Sequence, residues 1–432
     1  MLADDWSTAL KDFLVIPAVT DKNYTPALTA ETRGDDGWRV AFDETATPVL
    51  TLDVDALAHN VGTMQQWMDA RGLLFAPHGK TTMAPALWSW QLDAGAWGIT
   101  VANEAQLRVA IAFGVRRVLL ANEFVSPRGL AWLAGELASD PALDVVCWVD
   151  SLDGVALMTR HLQGATRPLG VCVELGAEGA RGGARSQAAA LEIAAAVRAS
   201  GVLQLRGIAG YEGNVPGADA DAKLLGVRQF LEQLTETFTA VLPLVEAERP
   251  LLTAGGSAYF DLVAEAFAPV IEQHPDVDAV LRSGAYIIHD DGMYRRTTPS
   301  ASRVGPEFRA AAHVWARVIS TPEPGLALLD AGKRDLSYDS GLPEVQQVFR
   351  HDGAGHKPVP VGGLTIVKTN DQHAYVSSAP VGGGVDTLRV GDLVQLGLSH
   401  PCTIFDKWRT ALLLESTPDG DPTIRGAIAT YF

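Results

Sequence analysis

Leu73-Leu74-Phe75-Ala76-Pro77-His78-Gly79-Lys80-Thr81-Thr82 is the stretch on which the reading turns. Its apolar run has the character of a buried strand, and the Pro-His-Gly turn that ends it delivers Lys80 where a loop should begin. A lysine amine condenses with aldehydes, and if its surroundings hold the pKa down it becomes a base and nucleophile near neutral pH. Most lysines simply sit in water. What Lys80 does therefore depends on what the chain places around it.

Working outward, Val/Ile/Leu-rich runs recur at 97–101, 117–121, 144–149, 169–174, 203–210, 250–254 and 278–282, each followed by a helical segment. With 73–78 they make eight. Eight apolar strands alternating with helices are what a (β/α)8 barrel requires, and such runs suit strands covered on both faces. An open doubly wound sheet has the same alternation and is the alternative. Upstream, 48–53 reads as a strand, and Asp55 is placed to cap a helix to about Arg71 with Leu57, Val61, Met64 and Met68 on its apolar face. Residues 1–45, including Arg33-Gly34-Asp35-Asp36-Gly37, form an extension with no evident chemistry. Beyond about residue 305 the helical alternation stops. Strand-like segments at 313–319, 326–330 and 392–396, with the run Gly382-Gly383-Gly384, predict a mostly β domain. The expected organisation is an α/β chain with an N-terminal extension (1–45), a (β/α)8 barrel (46–304) and a mostly β C-terminal domain (305–432).

Bulk properties exclude several classes. Hydrophobic residues make up 47% and charged residues 20%, as in a soluble globular protein, and no apolar run approaches a membrane span. A formal charge of −17 argues against nucleic acid, whose backbone is bound by Lys and Arg. The start, Met1-Leu2-Ala3-Asp4-Asp5, is acidic where a targeting peptide would be basic, which leaves the cytoplasm as the expected compartment. Three scattered cysteines, Cys147, Cys172 and Cys402, suit a reducing environment without disulfides.

In a barrel, chemistry gathers at the carboxyl ends of the strands. Ala254-Gly255-Gly256-Ser257, ahead of a helix, offers backbone amides suited to a phosphate, although an ordinary strand-to-helix turn looks the same. The loop from Glu174 to Arg185 carries Arg181 and Arg185 among glycines; a guanidinium there could bond an aromatic nitrogen or a carboxylate, or lie in solvent. His400-Pro401-Cys402 follows a strand, and residues i and i+2 of an extended chain share a face, so imidazole and thiolate could meet one metal. Two ligands leave such a site open to substrate; a buried His and Cys without metal is the plainer alternative.

These pieces together resemble a known family. Pro77-His78-Gly79-Lys80-Thr81, Arg181-Gly182-Gly183, Tyr211-Glu212-Gly213, Gly255-Gly256-Ser257, Arg282-Ser283-Gly284-Ala285-Tyr286 and His400-Pro401-Cys402 are similar, in that order, to the D-serine dehydratase and D-threonine aldolase group of pyridoxal-phosphate enzymes, which share the alanine-racemase architecture called fold type III. The likeness spans about residues 46–410. It implies Lys80 as the Schiff-base lysine, Arg181 near the pyridine nitrogen, His78 and Tyr211 as further cofactor contacts, and Gly255, Gly256 and Ser257 on the phosphate. It also implies His400 and Cys402 on a divalent metal, zinc before manganese or magnesium.

His-x-Cys resembles the zinc pair of eukaryotic-type D-serine dehydratases, whereas the aldolases usually carry His-x-Asp. The implied reaction is thus loss of water from a D-3-hydroxyamino acid of the D-serine, D-threonine or 3-hydroxyaspartate type, giving a 2-oxo acid and ammonia. Retro-aldol cleavage to glycine and an aldehyde is the alternative, racemisation a third, and a non-catalytic pyridoxal-phosphate carrier the alternative from another class. Two departures stand out: Thr82-Met83 where many relatives have His-Lys, and Asn214 where a histidine is common. The family also implies a homodimer, in which His400 and Cys402 could serve Lys80 of either subunit.

Overall fold

The computed structural model describes residues 6–34, 38–353, 355–378, 384–415 and 422–432. The readings made on residues 1–5, on 35–37 and on Gly382 and Gly383 fall outside them. All eight expected strands are present: Leu74–Phe75, Ile99–Val101, Arg117–Glu123, Asp144–Val149, Leu169–Leu175, Leu203–Gly210, Leu251–Ala254 and Asp278–Leu281. They pair in parallel, each with its neighbour in sequence from the second to the eighth, and the eighth with the first. First and second strands meet through a His78–Thr100 bridge, with Trp97 N–H donating to Phe75 O at 2.7 Å and Thr100 N–H to Pro77 O at 2.9 Å. The sheet is therefore closed, and the open-sheet alternative falls.

Strand alternation divides the core in two. Leu119, Val146, Cys172, Ala209, Leu251 and Val280 belong to one cluster inside the barrel, while Leu120, Cys147 and Val171 join the larger core shared with the helices. Burial pushes both thiols up, that of Cys172 to about 12, so neither serves as a nucleophile at neutral pH. Side-chain caps mark where strands give way to helices: Asn103, Ser126, Ser151, Ser186 and Asp219 each accept from a backbone N–H in the first turn. The first long helix, Val54–Asp69, buries Leu57, Val61, Met64 and Met68 as expected, but its cap is Asp53, which accepts from Ala56 N–H at 2.8 Å. Asp53 holds the extended backbone that a cap needs, whereas Asp55 is already inside the helix.

Three N-terminal segments are built into the second sheet. Val49–Asp53 pairs with Ala312–Glu323 and Thr410–Glu415 in a 12-stranded, mostly antiparallel sheet, although the expected bounds of the barrel domain, 46–304, included it. Leu14–Val15 and Val40–Ala41 both pair with the last strand, Thr423–Ala429. The extension is thus part of the β domain's scaffold. Asn23 fastens it: its amide donates to Leu50 O and Thr410 O and accepts from Leu50 N–H, all buried. Each of these groups, left unpaired, would cost about 1–3 kcal/mol. Among the described residues no helix is long and apolar enough to cross a membrane.

Candidate active site

A cavity of about 270 Å³ opens at the carboxyl ends of the barrel strands. His78, Lys80, Arg181, Tyr211, Gly255, Gly256, Ser257 and Cys402, drawn from points across more than 300 residues of sequence, all line it. His400 stands behind Cys402 and does not line the cavity itself.

The turn that presents Lys80 is fixed by Trp88. Its indole N–H donates to Gly79 O at 3.2 Å, and a Cβ at Gly79 would lie 2.7 Å from the ring, so only glycine fits between strand and indole. Burial, with Arg181 and Arg282 adding to it, holds the Lys80 amine below the usual lysine range, Cys402 pulling the other way. Burial and the nearby Lys80 and Arg282 charges keep His78 neutral, well below the usual imidazole range. The His78 Nδ1 is buried without a protein partner among the described residues.

Arg181 lies with its guanidinium 4.8 Å from the Tyr211 ring centroid. Its loop is tied down by Arg185, which donates to Gly182 O at 2.9 Å, to Gly183 O at 3.0 Å and to Arg181 O. The second expected arginine therefore braces the loop.

The glycine turn differs from expectation. Gly255 and Gly256 do not present bare amides: both donate to the buried Glu212 carboxylate, at 3.1 and 2.7 Å. Ser257 follows with its hydroxyl accepting from Ala285 N–H at 3.1 Å. The glycines shape the turn, with Gly255 at φ +105° and a Cβ at Gly256 only 2.8 Å from the Tyr211 ring.

The metal-suited pair also reaches the cavity by a different route. Pro401–Thr403 is a single 3-10 turn, so it is this turn, not alternation along a strand, that sets Cys402 near His400. The thiol lies 3.5 Å from Thr81 Oγ1, which puts the pair beside Lys80 of the same chain. His400 Nδ1 is 2.6 Å from Asp339 Oδ2, which leaves Nε2 as the nitrogen that could ligate. A carboxylate behind a histidine is a common support for a metal ligand, although no group of three His, Cys, Asp or Glu ligands is found among the described residues.

Several lining residues were given no role by the sequence alone. Arg282 is buried at the cavity floor, donating to Thr253 Oγ1 at 2.6 Å and Gly210 O at 2.7 Å. Glu123 and Glu174 face the cavity from neighbouring parts of the barrel; burial first, then the Glu123 charge, pushes the Glu174 carboxyl up to about 8. A charge closing an apolar strand was the available signal for all three. Asp339 and Tyr294, which also lines the cavity, gave none.

Comparisons with known proteins bear on the family and the fold. The family described as "Alanine racemase, N-terminal domain" matches residues 52–261, and "Putative serine dehydratase domain" matches 311–414. The chain belongs to the fold-type III pyridoxal-phosphate enzymes of the D-serine dehydratase and D-threonine aldolase group. It is 27% identical over 385 residues to a 3-hydroxy-D-aspartate aldolase of Paracoccus denitrificans (strain Pd 1222), covering 86% of this chain and 92% of that one. It is 26% identical over 371 residues to a D-threo-3-hydroxyaspartate dehydratase of Delftia sp. (strain HT23), covering 82% and 90%. The crystal structure of D-threonine aldolase from Filomicrobium marinum superposes with a TM-score of 0.76 at 24% identity, covering 91% and 97%, which establishes the shared fold.

The cavity suits the family's cofactor. A deprotonatable lysine, a buried imidazole nitrogen still without a partner, a stacked Arg181–Tyr211 pair and a glycine-shaped turn ahead of the Phe260–Gln273 helix match an aldehyde, a polar aromatic ring and a phosphate.

Proposed function

We propose that the chain is a pyridoxal-phosphate- and divalent-metal-dependent lyase that eliminates water from a D-3-hydroxyamino acid, giving a 2-oxo acid and ammonia. The observation that carries this is the approach of Cys402, with His400 braced by Asp339, to the wall of the cavity that holds Lys80.

When bound, pyridoxal phosphate supplies an electron sink that acidifies the Cα–H bond of the attached amino acid. Lys80 is the residue that would hold its aldehyde, with Arg181 and Tyr211 against the ring and Ser257 at the phosphate end. The Lys80 amine, its pKa lowered chiefly by burial, then has a deprotonated form available to take the Cα proton. Tyr211 stays protonated, its hydroxyl pushed up by burial and Glu212, and so can orient a ligand only as a neutral hydrogen-bonding group. A divalent metal on His400 Nε2 and Cys402 Sγ would supply Lewis-acid activation of the β-hydroxyl as leaving group, and the thiolate–imidazole pair suits zinc first. Thr81 Oγ1, 3.5 Å from the thiol, orients the Cys402 end of the cavity.

Retro-aldol cleavage is the second reading, favoured by the aldolase relatives. It needs a base at the β-hydroxyl, and Asn214, which lines the cavity where a histidine is common, cannot be one. Incubation with D-serine, D-threonine and D-threo-3-hydroxyaspartate separates the two: 2-oxo acid with ammonia is expected, and glycine as sole product sinks the dehydratase reading. A homodimer and a cytoplasmic location are part of the same proposal; a monomer in analytical ultracentrifugation would remove the first.

A further inference from the structure

The glycine turn holds a charge problem. Expected to receive an anion, it already carries one: Glu212, fully buried, spends both carboxylate oxygens on the Gly255 and Gly256 amides. An ionised carboxylate accepts at both oxygens and has no proton to place, whereas a protonated one must also find an acceptor for its O–H. Burial opposes that ionisation and holds the carboxyl above its usual range, while the Gly256 amide and the Arg282 charge pull it back down. Arg282 is buried too, and its guanidinium is held by Thr253 and Gly210, the residues at the ends of the strands flanking the turn. From the other side Ser283 Oγ donates to Gly256 O at 3.0 Å. Ends of three successive strands are thus locked around two glycines. One residue further on, Ser257 lines the cavity, and neither its N–H nor that of Ala258 donates to a protein acceptor among the described residues.

Stability alone explains this poorly. A carboxylate taken from water to cap two amides that solvent could have served gains little, and placing a negative charge beside an anion site is unfavourable unless it sets geometry. We infer that Glu212 is a positioning residue for the cofactor phosphate: by occupying the Gly255 and Gly256 amides it turns the chain so that the phosphate is received by Ser257 and the peptide groups after it, with Arg282 balancing the buried charge. This rests on the cavity holding pyridoxal phosphate.

The test uses the full-length apoprotein, titrated separately with pyridoxal 5′-phosphate and with pyridoxal, which lacks the phosphate, and followed by visible absorbance. Glu212→Gln puts an NH2 donor against one of the two amides. Its affinity for pyridoxal 5′-phosphate is expected to fall about ten- to a hundredfold, while that for pyridoxal changes less than about twofold. Equal losses for the two compounds mean general damage and overturn the inference, as does no loss for either. If Glu212→Gln does not fold, Ser283→Ala removes only the brace on Gly256 O and should give a smaller loss, again confined to the phosphorylated compound; an equal loss for both overturns the inference here too. A wild-type chain that binds neither compound overturns the cofactor reading and this inference with it.

Discussion

The two ends of the cavity are built differently. At the glycine end, Glu212, Thr253, Ser257, Arg282 and Ser283 come from three adjacent strands of one closed sheet, and their polar atoms are engaged with backbone or one another. At the lysine end the barrel supplies Lys80 and Thr81, while Cys402, His400 and Asp339 arrive from the second domain and Tyr294 from the segment leading to it. Groups on one sheet keep fixed separations, and so suit a permanent ligand. Groups contributed by separate segments can be exchanged without disturbing the barrel. Relatives of similar identity are named for aldol cleavage and for dehydration, and on the proposed function the two chemistries would part at the end that carries Cys402 and His400.

If so, substitutions at the two ends should fail in different ways. Lys80→Ala is expected to have the largest effect, lowering 2-oxo acid formation by about 10³-fold or more and abolishing the visible band of the bound cofactor; retention of that band would remove Lys80 as the anchor. Next, His400→Ala or Cys402→Ser should lower turnover about 100-fold or more while leaving the visible band in place, with metal lost on elemental analysis. Undiminished ammonia release from chelator-stripped protein would break the comparison, since the lysine end would then need no metal. Asp339→Asn should weaken metal binding by about 10–100-fold, read by competition with a chromogenic chelator, without changing cofactor affinity.

The smallest effect concerns stability. Glu174 holds its proton to about 8 in the folded chain against 4.5 for the free group, through burial and the facing Glu123, with Arg181 and Arg282 opposing. Between those values the folded state binds the proton that the unfolded state has released, so stability falls as pH rises through this window. Thermal melts of Glu174→Gln should therefore gain on the wild type from pH 5 to pH 8. A constant difference would show that Glu174 titrates normally.

Legibility in the sequence followed the range of the interaction. Each barrel strand announced itself because a strand buried on both faces is apolar throughout, and Lys80, Arg181, Tyr211 and Ser257 stood at strand ends, where a barrel keeps its chemistry. Glu212 sat inside a quoted motif, yet its task concerns amides 43 and 44 residues away. Asp339 is 61 residues from His400, in a stretch with no pattern of its own. Val49–Asp53 looked like any strand, and nothing local told it to join Ala312–Glu323 and not the barrel.

By itself, then, the sequence determined the eight apolar strands alternating with helices, the β domain after them, and the place of Lys80 at a strand end, because apolar periodicity and turn residues act over a few positions. Tertiary structure alone decided that Cys402 meets Thr81 within one chain, that a glutamate fills the amides of the glycine turn, and that the N-terminal segments belong to the far sheet. Those are pairings between distant residues, chosen by which hydrogen bonds and apolar faces remain unsatisfied once the local elements have formed.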